Sequence, residues 1–407
     1  MDDIHIGLSP AAFYEVNMKR IICIGDLCAD LIIPYGEYKA YISALKEGDI
    51  KSRDVELRSG GTVGNTCRVL GRLGSKPYFI TDLCEDSLGR FLRGEMEKDG
   101  VDMSLSPVGS YGAMVCIAVL DEGGDRTMFA WVPPGSRYPT FSEESFSEEL
   151  YKEDALIFTG GMTLNNDPDS MEAVLRFIKR MKKETNSEFI FDLNARIESY
   201  GLNEVRKHYY DEFIALSDIV LGSGIEEFGP ISGKTTLMEA GRYLASFKAS
   251  DEYGCRKGPM EAPCEFVGMT SDEANIKNNM TDAVKHSSSH RGRTVILRDG
   301  AEAVLIISRK SDEGAAEGAI QEKMPSGSDR NFSGEDMERG ESFIIETVPV
   351  EPVKVVSTVG AGDSFDAAFI HAYNRGLPIR SCVAFSNKVA GHVISHEGQL
   401  DVGDIRL

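Results

Sequence analysis

Short β-branched runs alternate with longer stretches of helical periodicity along most of the chain, and this rhythm restricts the possible folds more than any other feature. Residues 20–25 (RIICIG) read as a buried strand ending at a Gly-Asp turn. Apolar positions at helical spacing follow a glycine-rich turn over residues 64–73. Residues 77–81 read as a second strand and 87–99 as an amphipathic helix. The alternation returns with strands at 155–159, 188–192, 218–222 and 294–297, and helices at 171–183 and 237–247. Two long helical stretches, 363–374 and 381–394, close it. Such an order predicts an α/β fold, a mainly parallel sheet with helices on both faces. Ligands of these sheets sit at the carboxyl ends of the strands.

Two stretches depart from the rhythm. Residues 113–131 read as a β-hairpin around a turn at 121–125, and residues 32–57 contain strand-like pieces. Together, over 32–58 and 111–133, they are expected to form a small β-sheet outside the core that covers the site as a lid. Segments 249–292 and 309–341 are rich in Gly, Ser, Asp, Glu and Lys and poor in apolar periodicity, so they read as flexible, surface-laid insertions. The rest of the 407 residues reads as one domain, and a hydrophobic content of 42% is ample for its core.

Charge narrows the partners. A formal net charge of −21 with no basic stripe argues against nucleic acid. Small anions remain allowed, because backbone amides can bind phosphate inside an acidic protein. The eight cysteines form no Cys-x-x-Cys pair and several lie in apolar runs, as expected of reduced thiols. The amino-terminal residues lack a signal pattern and no apolar run is long enough to span a bilayer. A cytoplasmic protein with no membrane partner is expected.

The strongest local motif is Thr358-Val359-Gly360-Ala361-Gly362-Asp363, between a β-rich segment and a helix. Its glycines let the backbone turn tightly and leave the amides unshielded at a helix N-terminus, a pocket for an anion. A carboxylate there can accept the proton of an attacking hydroxyl. Taken alone, the motif reads equally as a glycine turn with Asp363 capping the helix. Near the start of the chain, Asp30 follows the Gly25-Asp26 turn, and Gly60-Gly61-Thr62-Val63-Gly64-Asn65 opens a helix. Asp30 can accept bonds from neighbouring hydroxyls, the glycines permit close approach, and Asn65 can donate and accept. A segment ending Gly233-Lys234-Thr235 imitates a phosphate-binding P-loop, but only three residues separate Gly229 from Gly233 where four are needed.

With these motifs in order, the chain resembles the ribokinase-like (PfkB) carbohydrate kinases over nearly its whole length apart from the two insertions. Residues 60–65 resemble the family's N-terminal glycine signature, and residues 82–102 its Asp-x-x-Gly…Gly-Val-Asp stretch. Residues 123–127 (GGDRT) resemble the Gly-x-Arg-Thr hairpin of its lid, and residues 358–363 its C-terminal signature. The resemblance implies a three-layer α/β/α core, ATP and Mg²⁺ as cofactors, and a sugar-like substrate. It makes Asp363 the base, with the amides of Gly360, Ala361 and Gly362 as the anion hole. Asp30, Gly60, Gly61 and Asn65 would hold the sugar, and Arg196 a phosphate or an acidic group on the substrate. Asn194, Thr358, Gly300 and Asn387 fall at nucleotide-binding positions. Glu226 falls where the family organises Mg²⁺ through water, with Glu227 a second candidate.

Three positions depart from the family pattern. Ser223 replaces the asparagine of its Asn-x-x-Glu motif. Ser357 replaces an aspartate that helps relatives bind a monovalent cation, which leaves a potassium requirement open. Arg298 stands where a threonine is usual, and reads as a solvated side chain or a phosphate contact. The activity implied is ATP-dependent phosphorylation of a hydroxyl on a small sugar or sugar acid. A nucleoside kinase is the alternative, with Met114, Ile117, Phe129 and Trp131 as candidate stacking surfaces. A degenerate kinase kept as a ligand-binding or regulatory protein is another. The exposed edges of a lid sheet would suit a homodimer.

Overall fold

Runs such as Ile21-Ile22-Cys23-Ile24 and Val295-Ile296-Leu297 are apolar at every position, which suits strands covered on both faces. A computed structural model describes residues 18–34, 56–109, 112–120, 126–132, 139–165, 168–248, 292–309, 342–396 and 400–407. In chain order its first half holds β1 (Arg20–Ile24), β2 (Cys28–Pro34), β3 (Glu56–Gly60), α1 (Thr62–Arg72), β4 (Tyr78–Ile80), α2 (Ser87–Lys98), β5 (Met114–Leu120), β6 (Arg126–Trp131) and β7 (Ala155–Gly160). There follow α3 (Pro168–Glu184), β8 (Glu188–Asp192), α4 (Ile197–Tyr200), α5 (Glu204–Leu216), β9 (Ile219–Ser223), α6 (Gly224–Ser232) and α7 (Leu237–Ser246). The last part contributes β10 (Thr294–Arg298), β11 (Val304–Arg309), β12 (Phe343–Val348), α8 (Ala361–Tyr373) and α9 (Ile379–Ser395).

Eight strands form the main sheet in the order β12-β11-β10-β9-β8-β7-β1-β4. Every pairing from β4 to β10 is parallel, and β11 and β12 extend it antiparallel. The chain leaves β1 towards β4 on one side and resumes at β7 on the other, so the order reverses between β1 and β7, where such sheets bind ligands.

Alternation along each strand divides the core into two layers. Ile21, Cys23 and Phe158 pack with α1, α8 and α9, while Ile22, Ile24, Phe189 and Phe191 pack with α3, α5 and α7. In the second layer Phe191 meets Tyr210 and Phe213 at ring-centroid distances of 5.8 and 5.5 Å.

A separate four-stranded sheet has the order β3-β2-β5-β6. Its first strand begins at Cys28, ahead of the expected residue 32, because the chain re-enters extended structure three residues after β1. Asp30 therefore lies within a strand rather than on a loop. Strands β5 and β6 pair antiparallel from Val115–Trp131 to Leu120–Arg126. The hairpin turn at 121–125, most of the 32–58 segment and nearly all of the segments 249–292 and 309–341 lie outside the described residues. Gly229 sits inside α6 and Gly233 closes that helix at φ 69°, so the P-loop look-alike is a helix end.

Replacing Phe191 with Ala removes a fully buried ring from this aromatic group. It should cost about 3–5 kcal/mol, read as a lower urea midpoint at unchanged slope.

Candidate functional site

The carboxyl ends of β1, β8, β9 and β10 deliver Asp26, Asp192, Ser223 and Arg298 to one edge of the sheet. Helices α1 and α8 begin against that edge. Gly360 caps α8 at φ 78°, a left-handed backbone that favours glycine. Ser364 is the first residue to close a helical bond, donating to the Gly360 carbonyl at 2.8 Å. The amides of Gly362 and Asp363 precede it and have no acceptor one turn back, which leaves them for an anion favoured by the helix dipole. The Ala361 amide makes a long contact of 3.4 Å with the Thr358 carbonyl.

Asp363, in that first turn, is partly buried. Asn65 Nδ2 donates to its Oδ2 at 2.8 Å, and Thr66 Oγ1 to its carbonyl at 3.4 Å, tying α1 to α8. Burial pushes the Asp363 carboxyl up to about 7, against the Asn65 hydrogen bond, with the Asp26 and Asp192 charges adding to the rise. A carboxyl titrating there suits proton acceptance at neutral pH. The other side-chain atom of Asn65, Oδ1, is buried without a hydrogen-bond partner. Asn65 thus meets the carboxylate directly and keeps one acceptor free.

Asp26 is buried and accepts the amides of Thr62 at 2.7 Å and Val63 at 3.2 Å, which fixes the start of α1 against the end of β1. Beside it Gly61 turns at φ 94°. The Asp30 carboxylate packs over Gly60, where a Cβ would lie 2.2 Å from Oδ2. Cys28 Sγ donates to Asp30 Oδ1 at 3.2 Å. Strand register puts Arg58, Asp30, Cys116 and Ala130 in one row across the small sheet.

On the other flank, Asp192 Oδ1 accepts the Asn194 amide at 2.9 Å, and Asn194 Oδ1 accepts Arg196 Nε at 2.9 Å. Asn194 and Arg196 have φ of 27° and 45°, left-handed values that L-residues adopt at a cost. Arg196 is exposed, and its charge acts on Asp26, Asp363 and Glu227.

Two expectations need correction. Glu226 is exposed and folds back over Gly224, whereas Glu227, one helical step on, faces Asp192 and Arg298. Glu227 Oε2 accepts the Ser223 amide at 2.9 Å, and burial with the Asp192 charge pushes its carboxyl up to about 7. Arg298 is neither solvated nor free for a phosphate. It is 9% exposed and holds Asp192 and Asp366 at 2.8 and 2.6 Å. Of the remaining candidates, Thr358 is exposed and Gly300 occupies an exposed turn at φ 57°. Asn387 donates to the Pro349 carbonyl at 3.1 Å, bracing the segment that leads to Ser357.

Sequence reading gave no role to Asp26, Asp192 or Asp366. For Asp26 and Asp192 the signal was their place directly at a strand's carboxyl end; for Asp366 it was a charged residue amid the apolar run of α8.

An anion-accepting helix end beside a carboxyl near neutrality, at the switch point of a parallel sheet, suits phosphoryl transfer to a hydroxyl. Residues 18–251 and 338–402 match the pfkB family of carbohydrate kinases, and the chain belongs to that family. It is an ATP-dependent kinase of carbohydrate hydroxyls. It is 23% identical over 392 residues to the 5-dehydro-2-deoxygluconokinase of Halalkalibacterium halodurans, spanning 95% of this chain and 93% of that one. To the enzyme of that name from Clostridium tetani it is 27% identical, spanning 85% and 80%. Its fold is similar to that of Vibrio cholerae fructokinase, solved with fructose, ADP and calcium (TM-score 0.63, 16% identity, 95% of this chain and 96% of that one). It is also similar to Salmonella enterica aminoimidazole riboside kinase (TM-score 0.60, 19% identity, 94% and 95%).

The Asp363 carboxyl titrates at an ordinary 3.8 when unfolded and at about 7 when folded. Between those values the folded chain binds the extra proton, so this group's contribution to stability falls as pH rises. Asp363→Asn should therefore melt above the native protein at pH 8, with the gap closing at pH 4, as measured by calorimetry at both values.

Proposed function

We propose that the chain phosphorylates a sugar acid, with Asp363 as the general base and the first-turn amides of α8 as the anion hole. The observation that carries this reading is the Asn65–Asp363 pair at the mouth of α8, with a base titrating near 7 beside unpaired amides. Asp363 takes the proton of the substrate hydroxyl as its oxygen attacks the terminal phosphorus of ATP in line. The amides of Gly360, Ala361 and Gly362, joined by that of Asp363, meet the charge that spreads over the moving group. Asn65 Oδ1 and Asp30 would orient the sugar over the bare backbone of Gly60 and Gly61. Asn194, Thr358, Gly300 and Asn387 remain the candidate contacts for the nucleotide.

Mg²⁺ would neutralise charge on the phosphates when bound. Glu227 fits it better than Glu226: its carboxylate is inward, near Asp192, and spends one oxygen on the Ser223 amide. Among the described residues no group of three or more His, Cys, Asp or Glu is set to hold a metal, which agrees with an ion carried mainly by phosphates and water.

The acid substrate is supported by the name shared by the curated relatives and by two cations, the exposed Arg196 and Arg58 in the Asp30 row. A nucleoside is disfavoured because Ile117, Phe129 and Trp131 alternate onto the face opposite Asp30, leaving only Met114 of the proposed stacking residues on the Asp30 face. The small sheet would cover the substrate. Its exposed Leu57, Phe129 and Trp131, at 43, 49 and 66% exposure, would suit a second copy of the chain. Among the described residues no helix is long and apolar enough to cross a membrane, and six cysteines there are free, as a reducing cytoplasm would leave them.

ADP release with Mg-ATP and a panel of sugar acids, neutral sugars and nucleosides tests the substrate. Turnover confined to neutral sugars or nucleosides would overturn it. Asp363→Asn should lower kcat about a hundredfold or more while nucleotide binding persists, and near-normal turnover in the pure variant would remove Asp363 from its role. In the native enzyme kcat/KM should climb with pH through about 7, as Asp363 loses its proton.

A further inference from the structure

We infer that Arg298 is a positioning residue for phosphoryl transfer, its buried guanidinium clamping the anion-binding turn of α8 to the carboxyl ends of β8 and β9. The inference rests on the reading of that turn as the anion hole. Nη1 donates to Asp366 Oδ1 at 2.6 Å and to the Gly362 carbonyl at 3.2 Å. Nη2 donates to Asp192 Oδ2 at 2.8 Å, and Nε to the Gly222 carbonyl at 3.1 Å. The guanidinium carbon lies 5.1 Å from the Phe365 ring centroid. One planar fork thus fixes two strand ends and one helix start, a geometry that a point-like ammonium cannot copy.

The bond to Gly362 bears on the chemistry. The Gly362 carbonyl and the Asp363 amide belong to one planar trans peptide, so the N–H points away from the C=O. Holding the oxygen from beneath aims the amide outward at the anion, and drawing electron density to that oxygen strengthens the donor. The guanidinium also sets a fixed positive charge behind the turn, where a Cβ on Gly362 would be 3.7 Å from Nη1.

Its counter-charges are matched to that task. Asp192 and Asp366 each accept one N–H of the same guanidinium, at 2.8 and 2.6 Å. Burial and the Asp192 charge push the Asp366 carboxyl well up, whereas Arg298 holds Asp192 below its usual range in spite of burial. Stability does not account for such a cluster, since apolar side chains of equal volume commonly serve the core as well or better.

The test compares Arg298→Met and Arg298→Lys with Asp363→Asn, at a temperature where circular dichroism finds each variant folded. Arg298→Met should lower kcat about a hundredfold, and Arg298→Lys about tenfold, while KM for sugar acid and ATP stays within about threefold. A kcat within about threefold of native, or a loss appearing only in KM, overturns the assignment. If neither variant folds, Arg298 is a folding residue and the assignment falls. Loss of turnover in Asp363→Asn with native kcat in both Arg298 variants sinks this inference alone; native turnover in Asp363→Asn instead removes the base from the proposed function on which this inference rests.

Discussion

The hydrogen bond between Asn65 and Asp363 joins two helices whose first turns are 298 residues apart in sequence. Most of the site follows from that contact. It brings the Gly60-Gly61 turn, which exposes bare backbone beneath Asp30, against the Gly360 turn, which exposes unpaired amides. It also drives the carboxyl of Asp363 into surroundings that hold it close to neutrality. Asp26 secures the same junction from the other side by capping α1 with both carboxylate oxygens. On the proposed reading, an acceptor-binding turn and a phosphate-binding turn are thereby held in one frame, as in-line transfer requires.

Several unfavourable features meet at this edge of the sheet. Left-handed non-glycine backbone at Asn194 and Arg196, an orphan acceptor on Asn65 and three interacting acids around Arg298 all lie there. The layers beneath are ordinary in contrast, with Phe158, Phe177, Phe189 and Phe191 fully buried and strands continuous in register. Strain and buried charge persist only where surrounding packing over-determines them, and here the parallel sheet and α8 do so.

Much of the fold was legible because its strands and helices announce their own period. The apolar runs from residue 20 to 297 and the two closing helices agree with the observed elements to within a few residues. Strands β11 and β12 and helices α4, α5 and α6 were not anticipated. In α5 the sequence Tyr209-Tyr210-Asp211-Glu212-Phe213 mixes acids with aromatics and blurs the helical stripe; β12 follows a long aperiodic segment. In the site, motif spacing pointed to Asp363, Asn65 and the glycine turns, and the fold brings Asn65 and Asp363 into contact. Glu226 was chosen over Glu227 because a helix beginning at Gly224 rotates consecutive residues by about 100°, an angle that spacing alone does not fix. Arg298 was misjudged for a related reason: its partners come from β8, β9 and α8, and only tertiary structure assembles them.

Helix α8 is buried on nearly every side from Ser364 to Ala372, so the turn at its head cannot shift without disturbing a core layer. The small sheet is attached differently, through the three residues after β1, the single Gly61 before α1, and the longer segments that enter β5 and leave β6. Its inner row can exchange side chains at a distance from the phosphate-handling edge. On the proposed reading, the architecture separates an immobile chemical anvil from an interchangeable selector, so that preference for one acceptor over another could drift while the transfer step is preserved.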